Sequence, residues 1–178
     1  NTGRLSALDV SAPRLDALKP RLARSGLYNV PPAALSHERD ERVKRLAGKI
    51  DRVLVDAPCS GLGTLRRNPD LKWRQSPQAV QELTAKQTAI LDSAARLVKS
   101  GGRLGYATCS EENEAIAQAF GAAHPDFVAL DAGEVLAQLK VEHAASLCTG
   151  GSSGTQYVRL WPHTHQVDGF FAAVWQRT

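Results

Sequence analysis

The segment DRVLVDAPCSGLGTLRRNPDLKW, residues 51–73, contains a strand that leads directly into a cysteine and a basic loop with two glycines. Val53, Leu54 and Val55 form an unalternating apolar run, which is typical of a strand buried on both faces of a parallel sheet. Pro58 ends the strand, because proline has no N–H for the ladder. Cys59 therefore follows the carboxyl end of a strand, where a thiol can be structural, metal-bound, redox-active or catalytic.

Strands and helices alternate on both sides of this segment. Further strands are predicted over residues 3–11, 27–30, 102–110, 156–162 and 169–177, and helices over 11–26, 76–98 and 111–124. The last two strands are separated by a short loop and read as an antiparallel pair. The alternation predicts a single α/β domain whose sheet is mostly parallel, with a C-terminal antiparallel hairpin.

The composition is that of a globular protein, with 43% hydrophobic residues in 178 and a formal net charge of +4. No apolar segment is long enough for a membrane helix, and the mildly basic balance permits nucleic-acid binding. Three widely spaced cysteines argue against a disulfide scaffold and favour a reducing cytoplasm. The chain has no methionine and begins at Asn1, so we expect it to be an N-terminally truncated fragment of a longer protein.

Three predicted strands end in residues that can carry chemistry. Asp9, Asp56 with Cys59, and Cys109 each lie at or just past the end of a strand. Because ligands bind beyond the carboxyl ends of parallel strands, we expect these side chains at one rim of the sheet. Buried cysteines can also simply pack, and a redox pair stays open. The absence of a Cys-x-x-Cys pair with suitably spaced histidines argues against a metal site.

Two cysteine-containing segments carry a resemblance to a known family. DAPCSGLGTLRRNPDLKW (56–73) and YATCSEENE (106–114) resemble the paired motifs of RNA (cytosine-5) methyltransferases, nearest to the bacterial RsmB/Sun-like branch that modifies small-subunit ribosomal RNA. RLWPHTHQVDGFFAAVW (159–175) is similar to that family's C-terminal hairpin. The resemblance implies a Rossmann-like class I methyltransferase sheet and S-adenosyl-L-methionine as methyl donor. The family's glycine-rich cofactor loop does not precede Asn1, so we expect the sheet to lack its first strand.

The same resemblance implies roles for three residues. Cys109 is the expected nucleophile: its thiolate adds to carbon 6 of cytosine, so that carbon 5 can attack the methyl group. Cys59 is expected to assist release of the product, and Asp56 to hydrogen-bond the cytosine edge close to the cofactor. The TCSEENE sequence is contiguous where the family has a longer loop, and we expect this to disturb the placement of Cys109.

Two further acidic residues match cofactor positions. Asp9 ends the strand that corresponds to the second of a nucleotide-binding sheet, where a carboxylate can hold a ribose diol. Asp40 matches the family's acidic position near the adenine, although a solvated loop charge explains it equally well.

The segment that follows Cys59 predicts a contact with RNA. It carries four basic residues, Arg66, Arg67, Lys72 and Arg74, with Trp73 among them. Basic side chains bind phosphates, and aromatic rings stack on unpaired bases. The alternative is a solvated basic loop with Trp73 in the core. A target base must also leave its stack to reach Cys109.

Three hypotheses about function follow. The first is methylation of cytosine carbon 5 in ribosomal RNA. The second is an amino-directed methyltransferase of the same fold, but such sites use an Asn/Asp-Pro-Pro-aromatic turn and need no thiol. The third is an RNA-binding remnant without catalysis. The combination of DAPCS with a second cysteine favours the first.

Overall fold

The structure is a computed structural model that describes residues 2–109, 113–150 and 154–178. The chain forms two compact units, one ending at Arg45 and the other running from Leu46 to Thr178. None of the helices in the described ranges is long and apolar enough to cross a membrane.

The first unit contains two short parallel strands and two helices. Its elements are β1 (Ala7–Asp9), α1 (Ala12–Arg24), β2 (Pro32–Ala34) and α2 (Glu41–Lys44). β1 pairs with β2 in parallel, with Asp9 opposite Ala34. As predicted, the first strand ends at Asp9.

Helix α1 ends in a motif that explains a misplaced strand. Gly26 has a φ of +64°. Its N–H bonds to Ala23 O, and the Leu27 N–H bonds to Leu22 O, the two bonds of a Schellman ending. The prediction of a strand over 27–30 was wrong, because Leu27 completes the helix end. The strand starts instead at Pro32, where a missing N–H is tolerated.

The second unit contains a six-stranded sheet with helices. The strands are β3 (Ile50–Asp56), β4 (Val98–Thr108), β5 (Phe127–Ala129), β6 (Cys148–Gly150), β7 (Gln156–Leu160) and β8 (Phe170–Arg177). The helices are α3 (Leu71–Arg74), α4 (Pro77–Ala95), α5 (Asn113–Ala123), α6 (Ala132–Gln138) and α7 (Pro162–His165). Short 3₁₀ turns occupy Leu62–Thr64 and Ala144–Leu147.

The sheet order is β3-β4-β8-β7-β6, with β5 also paired to β8. β3 and β4 are parallel, with Asp56 opposite Ala107, and the other pairs in this sheet are antiparallel. The α/β class and the C-terminal hairpin are confirmed. The prediction that this sheet is mostly parallel was wrong, because only the β3–β4 pair described in it is parallel. The connection from β7 to β8 is too short for a parallel crossover. The short strands β5 and β6 were not predicted from the sequence.

Strand β3 is not buried on both faces, contrary to the prediction. Leu54 is 74% exposed, whereas Val55 is 6% exposed. Successive side chains of a strand point to opposite faces of the sheet, and Val55 belongs to the core cluster whereas Leu54 points away from it. The core lies instead on β4 and β8, where Leu104, Phe171 and Trp175 are almost fully buried.

Helix α4 covers one face of the sheet beside β3 and β4. The Ser76 side chain accepts a hydrogen bond from the Ala79 N–H, and Pro77 occupies the first helical position, as predicted. The helix packs against β3, β4 and α5. It ends at Ala95 rather than at Val98, because Val98 already begins β4.

Candidate active site

The two motif cysteines meet at the carboxyl ends of β3 and β4. The Sγ atoms of Cys59 and Cys109 are 2.6 Å apart, and both residues are partly buried. Their strands are parallel neighbours, and the last bond between them runs from the Ala57 N–H to the Ala107 carbonyl. The predicted convergence of two thiols that are far apart in the sequence is therefore observed.

The two sulfurs influence each other's ionisation. The hydrogen bond from Cys109 lowers the pKa of Cys59 to about 5, helped by the backbone N–H groups of Cys109 and Gly61 and opposed by burial. The same hydrogen bond, with burial and the neighbouring charge, raises the pKa of Cys109. Both shifts have the hydrogen bond between the two sulfurs as their largest cause, so they belong to the pair and not to either thiol alone. A thiolate is the reactive form of cysteine, and in such a pair each sulfur can take the other's proton.

Two glutamine side chains hold the backbone on either side of Cys59. Gln87 Nε2 donates to Pro58 O, and Gln75 Nε2 donates to Ser60 O, each at 2.7 Å. Neither glutamine was predicted from the sequence as a site residue. For Gln87 a signal was present, because it lies four residues after Leu83 on the apolar face of α4 and is fully buried.

A glycine makes room for Cys109. A Cβ atom on Gly63 would lie 1.7 Å from the Cys109 carbonyl oxygen and 2.8 Å from the Gly169 carbonyl oxygen. The Gly169 N–H also donates to Gly63 O at 2.7 Å. The loop after Cys59, the end of β4 and the start of β8 therefore meet at one point, where no side chain fits.

A cavity of about 420 Å³ opens beside Cys109. Its polar lining includes Arg66, Arg159 and His163, and its apolar lining includes Leu62, Leu65, Leu160, Trp161, Pro162 and Phe170. Of the two thiols only Cys109 lines it. A cavity with aromatic and cationic walls suits a nucleotide, which offers a flat ring and a phosphate.

Arg159 is a lining residue that sequence reasoning missed. It is 6% exposed, and its guanidinium lies 3.7 Å from Glu114 Oε2 and 4.3 Å from the centre of the Trp161 ring. A buried charge needs such partners. In β7 Arg159 stands between the partly buried residues Val158 and Leu160. In the sequence it therefore looks like an ordinary polar residue on the solvent face of an alternating strand, and nothing there indicated that it is buried.

The Asp56 carboxylate is available to a ligand. Asp56 ends β3 and is exposed. Within residues 2–109, 113–150 and 154–178, its side chain makes no hydrogen bond or ion pair. An exposed carboxylate whose oxygens are not already bonded can accept hydrogen bonds from a cytosine edge or a cofactor.

The two acidic residues of the first unit that were predicted to bind the cofactor differ in availability. Asp9 Oδ1 accepts the Ser11 N–H, while Oδ2 lies 3.9 Å from Arg14 and the side chain is 29% exposed. Asp40 caps α2: it accepts from the Arg42 N–H and from the N–H and hydroxyl of Ser36. These bonds, the Ser36 N–H foremost, lower the pKa of Asp40 to about 2. The cap gives Asp40 a structural task that neither sequence interpretation included.

The basic segment separates into residues with different partners. Arg66 lines the cavity, whereas Arg67 forms an ion pair with Asp168, and Arg74 pairs with Asp70 at 2.9 Å. Ion pairs occupy the guanidinium groups that an RNA phosphate would need.

Trp73 is not a core residue. It is 81% exposed, and Lys72 Nζ lies 4.8 Å from the centre of its ring. The alternative that placed this ring in the core was therefore wrong. An exposed ring beside a cation can stack on a base. The prediction about the short loop after Cys109 concerns residues 110–112, which lie outside the described residues.

Comparisons with known proteins agree with this geometry. The model of the family described as 16S rRNA methyltransferase RsmB/F matches residues 1–176. The chain is 35% identical over 184 residues to ribosomal RNA small subunit methyltransferase F of Escherichia coli O9:H4 (strain HS), covering all of this chain but 36% of that protein. It therefore spans about a third of the length of this relative.

Two solved structures have the same fold. The crystal structure of PH0851 matches with a TM-score of 0.83 and 35% identity, over 98% of this chain and 37% of that one. NSun6 from Pyrococcus horikoshii, solved with SFG, matches with a TM-score of 0.75 and 25% identity, over 98% of this chain and 41% of that one.

Proposed function

The chain belongs to the 16S rRNA methyltransferase RsmB/F family, and we propose that it forms the thiol-bearing part of an enzyme that methylates carbon 5 of a cytosine in ribosomal RNA. The observation that carries this proposal is the 2.6 Å approach of the Cys59 and Cys109 sulfurs at neighbouring strand ends. Amino-directed chemistry has no use for such a pair. An enzyme of ribosomal RNA with two reduced thiols works in a reducing cytoplasm.

Cys109 is the nucleophile in this proposal. It lines the cavity, and the proton shared with Cys59 can move to Cys59 as Cys109 attacks. The Cys109 sulfur adds to carbon 6 of cytosine, and electron density moves to carbon 5. Asp56, exposed and without a partner in the described residues, accepts a hydrogen bond from the cytosine edge and orients the ring.

Cys59 acts in the release step. After carbon 5 has been methylated, a water molecule takes the proton from carbon 5, the electron pair of that C–H bond re-forms the ring double bond, and the bond from carbon 6 to the Cys109 sulfur breaks. A thiol at the position of Cys59 can donate a proton to the departing sulfur over 2.6 Å. Donation to a developing thiolate stabilises it and speeds the elimination.

S-adenosyl-L-methionine is the proposed cofactor, and it supplies an electrophilic methyl group. Asp9 and Asp56 fit a role in holding it, because each carboxylate keeps free acceptor capacity in the described residues. Asp40 fits less well, since both of its oxygens already accept bonds that form the cap of α2.

Ribosomal RNA is the proposed partner, with Arg66, Lys72 and Trp73 as its contacts on this chain. Arg66 lines the cavity beside Cys109, and the Trp73 ring is open to a base. Arg67 and Arg74 have a smaller part in RNA binding, because each is already paired with a carboxylate.

A trapping experiment tests the proposal. The full-length gene product is incubated with S-adenosyl-L-methionine and small-subunit ribosomal RNA that contains 5-fluorocytosine. Fluorine at carbon 5 cannot leave as a proton does, so the Cys109 adduct persists in denaturing gels. We expect this band in the wild type and not in Cys109→Ser. Methylation without an adduct would support the amino-directed alternative, and binding alone would support the remnant.

A further inference from the structure

The position of Cys59 is not determined by the sheet. The last ladder bond before it is donated by the Ala57 N–H, and Pro58 has no N–H to donate. Beyond Ala57 the backbone is held by side chains: the Pro58 carbonyl accepts a hydrogen bond from Gln87 Nε2, and the Ser60 carbonyl accepts one from Gln75 Nε2. Two amide groups therefore hold the peptide units on either side of the thiol.

Gln87 is itself oriented by the strand that carries Cys109. Tyr106 Oη donates to Gln87 Oε1 at 2.8 Å, and both residues are 0% exposed. Tyr106 belongs to β4 and lies three residues before Cys109. The chain of contacts from Tyr106 through Gln87 to Pro58 thus relates the backbone at Cys59 to the strand that ends at Cys109.

A purely structural explanation accounts for only part of this arrangement. The buried Gln87 amide is hydrogen-bonded to Tyr106 Oη and to Pro58 O, and these two bonds account for its presence in the core. The amide remains on an otherwise apolar helix face and donates to the residue directly before Cys59. The second amide, Gln75, comes from a different segment and acts on the other side of the same thiol.

We propose that Gln75 and Gln87 are positioning residues that hold Cys59 against Cys109 and thereby set the rate at which the covalent RNA adduct is released. The inference rests on the proposed function, in which Cys59 protonates the departing sulfur. Displacement of a reacting group by about 1 Å can cost roughly 100-fold in rate. Loss of either amide is therefore expected to slow release more than it slows attack by Cys109.

The experiment compares adduct with turnover in the full-length gene product. Gln87→Met and Gln75→Met remove the donors at nearly constant volume. Gln78→Met is the matched control, because Gln78 lies on the exposed side of α4 and bonds only Glu82 among the described contacts. The fraction of protein in denaturation-resistant adduct with unmodified RNA and the steady-state turnover are measured together, with melting temperatures to confirm folding.

We expect both glutamine variants to raise the adduct fraction by about tenfold while turnover falls about tenfold or more. Gln78→Met should match the wild type, and adding Cys109→Ser should abolish the adduct. A merely structural role would lower adduct and turnover in parallel. Gln75→Met keeps the test valid if Gln87→Met unfolds, since Gln75 is only partly buried.

The reference variant Cys59→Ala separates two kinds of failure. If Cys59→Ala accumulates adduct and the glutamine variants do not, the positioning role is overturned and the proposed function stands. If Cys59→Ala also accumulates none, the release role of Cys59 fails first, and the positioning role falls with it.

Discussion

Gly63 and Cys109 approach so closely that a Cβ atom on the glycine would lie 1.7 Å from the cysteine's carbonyl oxygen. This contact is between backbone groups, so no rotation of a side chain can relieve it. Any other residue at position 63 must displace either the loop after Cys59 or the end of β4.

The first prediction concerns this contact. Gly63→Ala should reduce formation of the Cys109 adduct by about tenfold or more, because the nucleophile is moved from its position. Adduct with RNA containing 5-fluorocytosine measures the effect. Gly121→Ala is the control: Gly121 lies in α5 with nothing within 4 Å of its Cβ position, and it should keep full activity. Equal adduct in the two variants would contradict the prediction.

The second prediction concerns the ionisation of the thiol pair. The pKa of Cys59 is lowered to about 5, and the hydrogen bond from Cys109 is the largest cause. A lowered pKa extends the thiolate to lower pH, so iodoacetamide should alkylate Cys59 readily at pH 6. In Cys109→Ala the donor is lost, and the inflection of the alkylation rate should move up toward the ordinary cysteine value. Mass spectrometry at Cys59 over a pH series measures it, and an unchanged inflection would exclude proton sharing.

The third prediction concerns Asp56. Asp56→Asn removes the charge of an acceptor that has no partner in the described residues, so stability should be unchanged. Loss of a charged hydrogen bond to the substrate costs about 1.5–3 kcal/mol, or about 10- to 150-fold in adduct formation. Asp51→Asn, an exposed change on the same strand, should leave that rate unchanged. A melting temperature lowered in Asp56→Asn would instead indicate a structural role.

The fourth prediction separates two neighbouring arginines. Arg66→Ala should weaken RNA binding and reduce the slope of log K against log salt by about 0.7, because one phosphate contact to single-stranded RNA is lost. Arg67→Ala should change that slope less, since its guanidinium is paired with Asp168. Binding titrations at several salt concentrations distinguish the two, and equal slopes would contradict the assignment of Arg66.

The fifth prediction concerns the exposed ring of Trp73. Trp73→Ala should weaken RNA binding by about 1–3 kcal/mol, which is roughly 5- to 150-fold, through loss of base stacking. The melting temperature should not fall, because the ring is 81% exposed. Tyr28→Ala serves as control, since Tyr28 is an equally exposed aromatic residue, 83% exposed, outside the basic segment that follows Cys59. If Trp73→Ala binds RNA as tightly as Tyr28→Ala does, Trp73 does not contact the RNA.

The convergence of Cys59 and Cys109 could be predicted because it depends only on parallel strands and on motifs at their carboxyl ends. Burial of Leu54 was predicted wrongly, because burial of an apolar run depends on which elements cover each face of the sheet, and the run itself carries no information about that. β5 and β6 are three residues each, too short for a periodic pattern.

The supporting contacts were harder to foresee than the reactive groups. Gln87 interrupts an apolar helix face, which marks it as unusual, but its partner Pro58 O is a backbone atom without a sequence signature. The Asp40 cap and the Arg67–Asp168 ion pair depend likewise on geometry that only the folded chain supplies.

The meeting of Gly63 with Gly169, joined by the Arg67–Asp168 ion pair, has a consequence for synthesis of the protein. The ribosome makes the loop after Cys59 long before it makes Gly169 and β8. Until that late segment leaves the exit tunnel, the loop lacks its anchor and the wall of the cavity is incomplete. The cavity beside Cys109 is therefore completed only after β8 has been made.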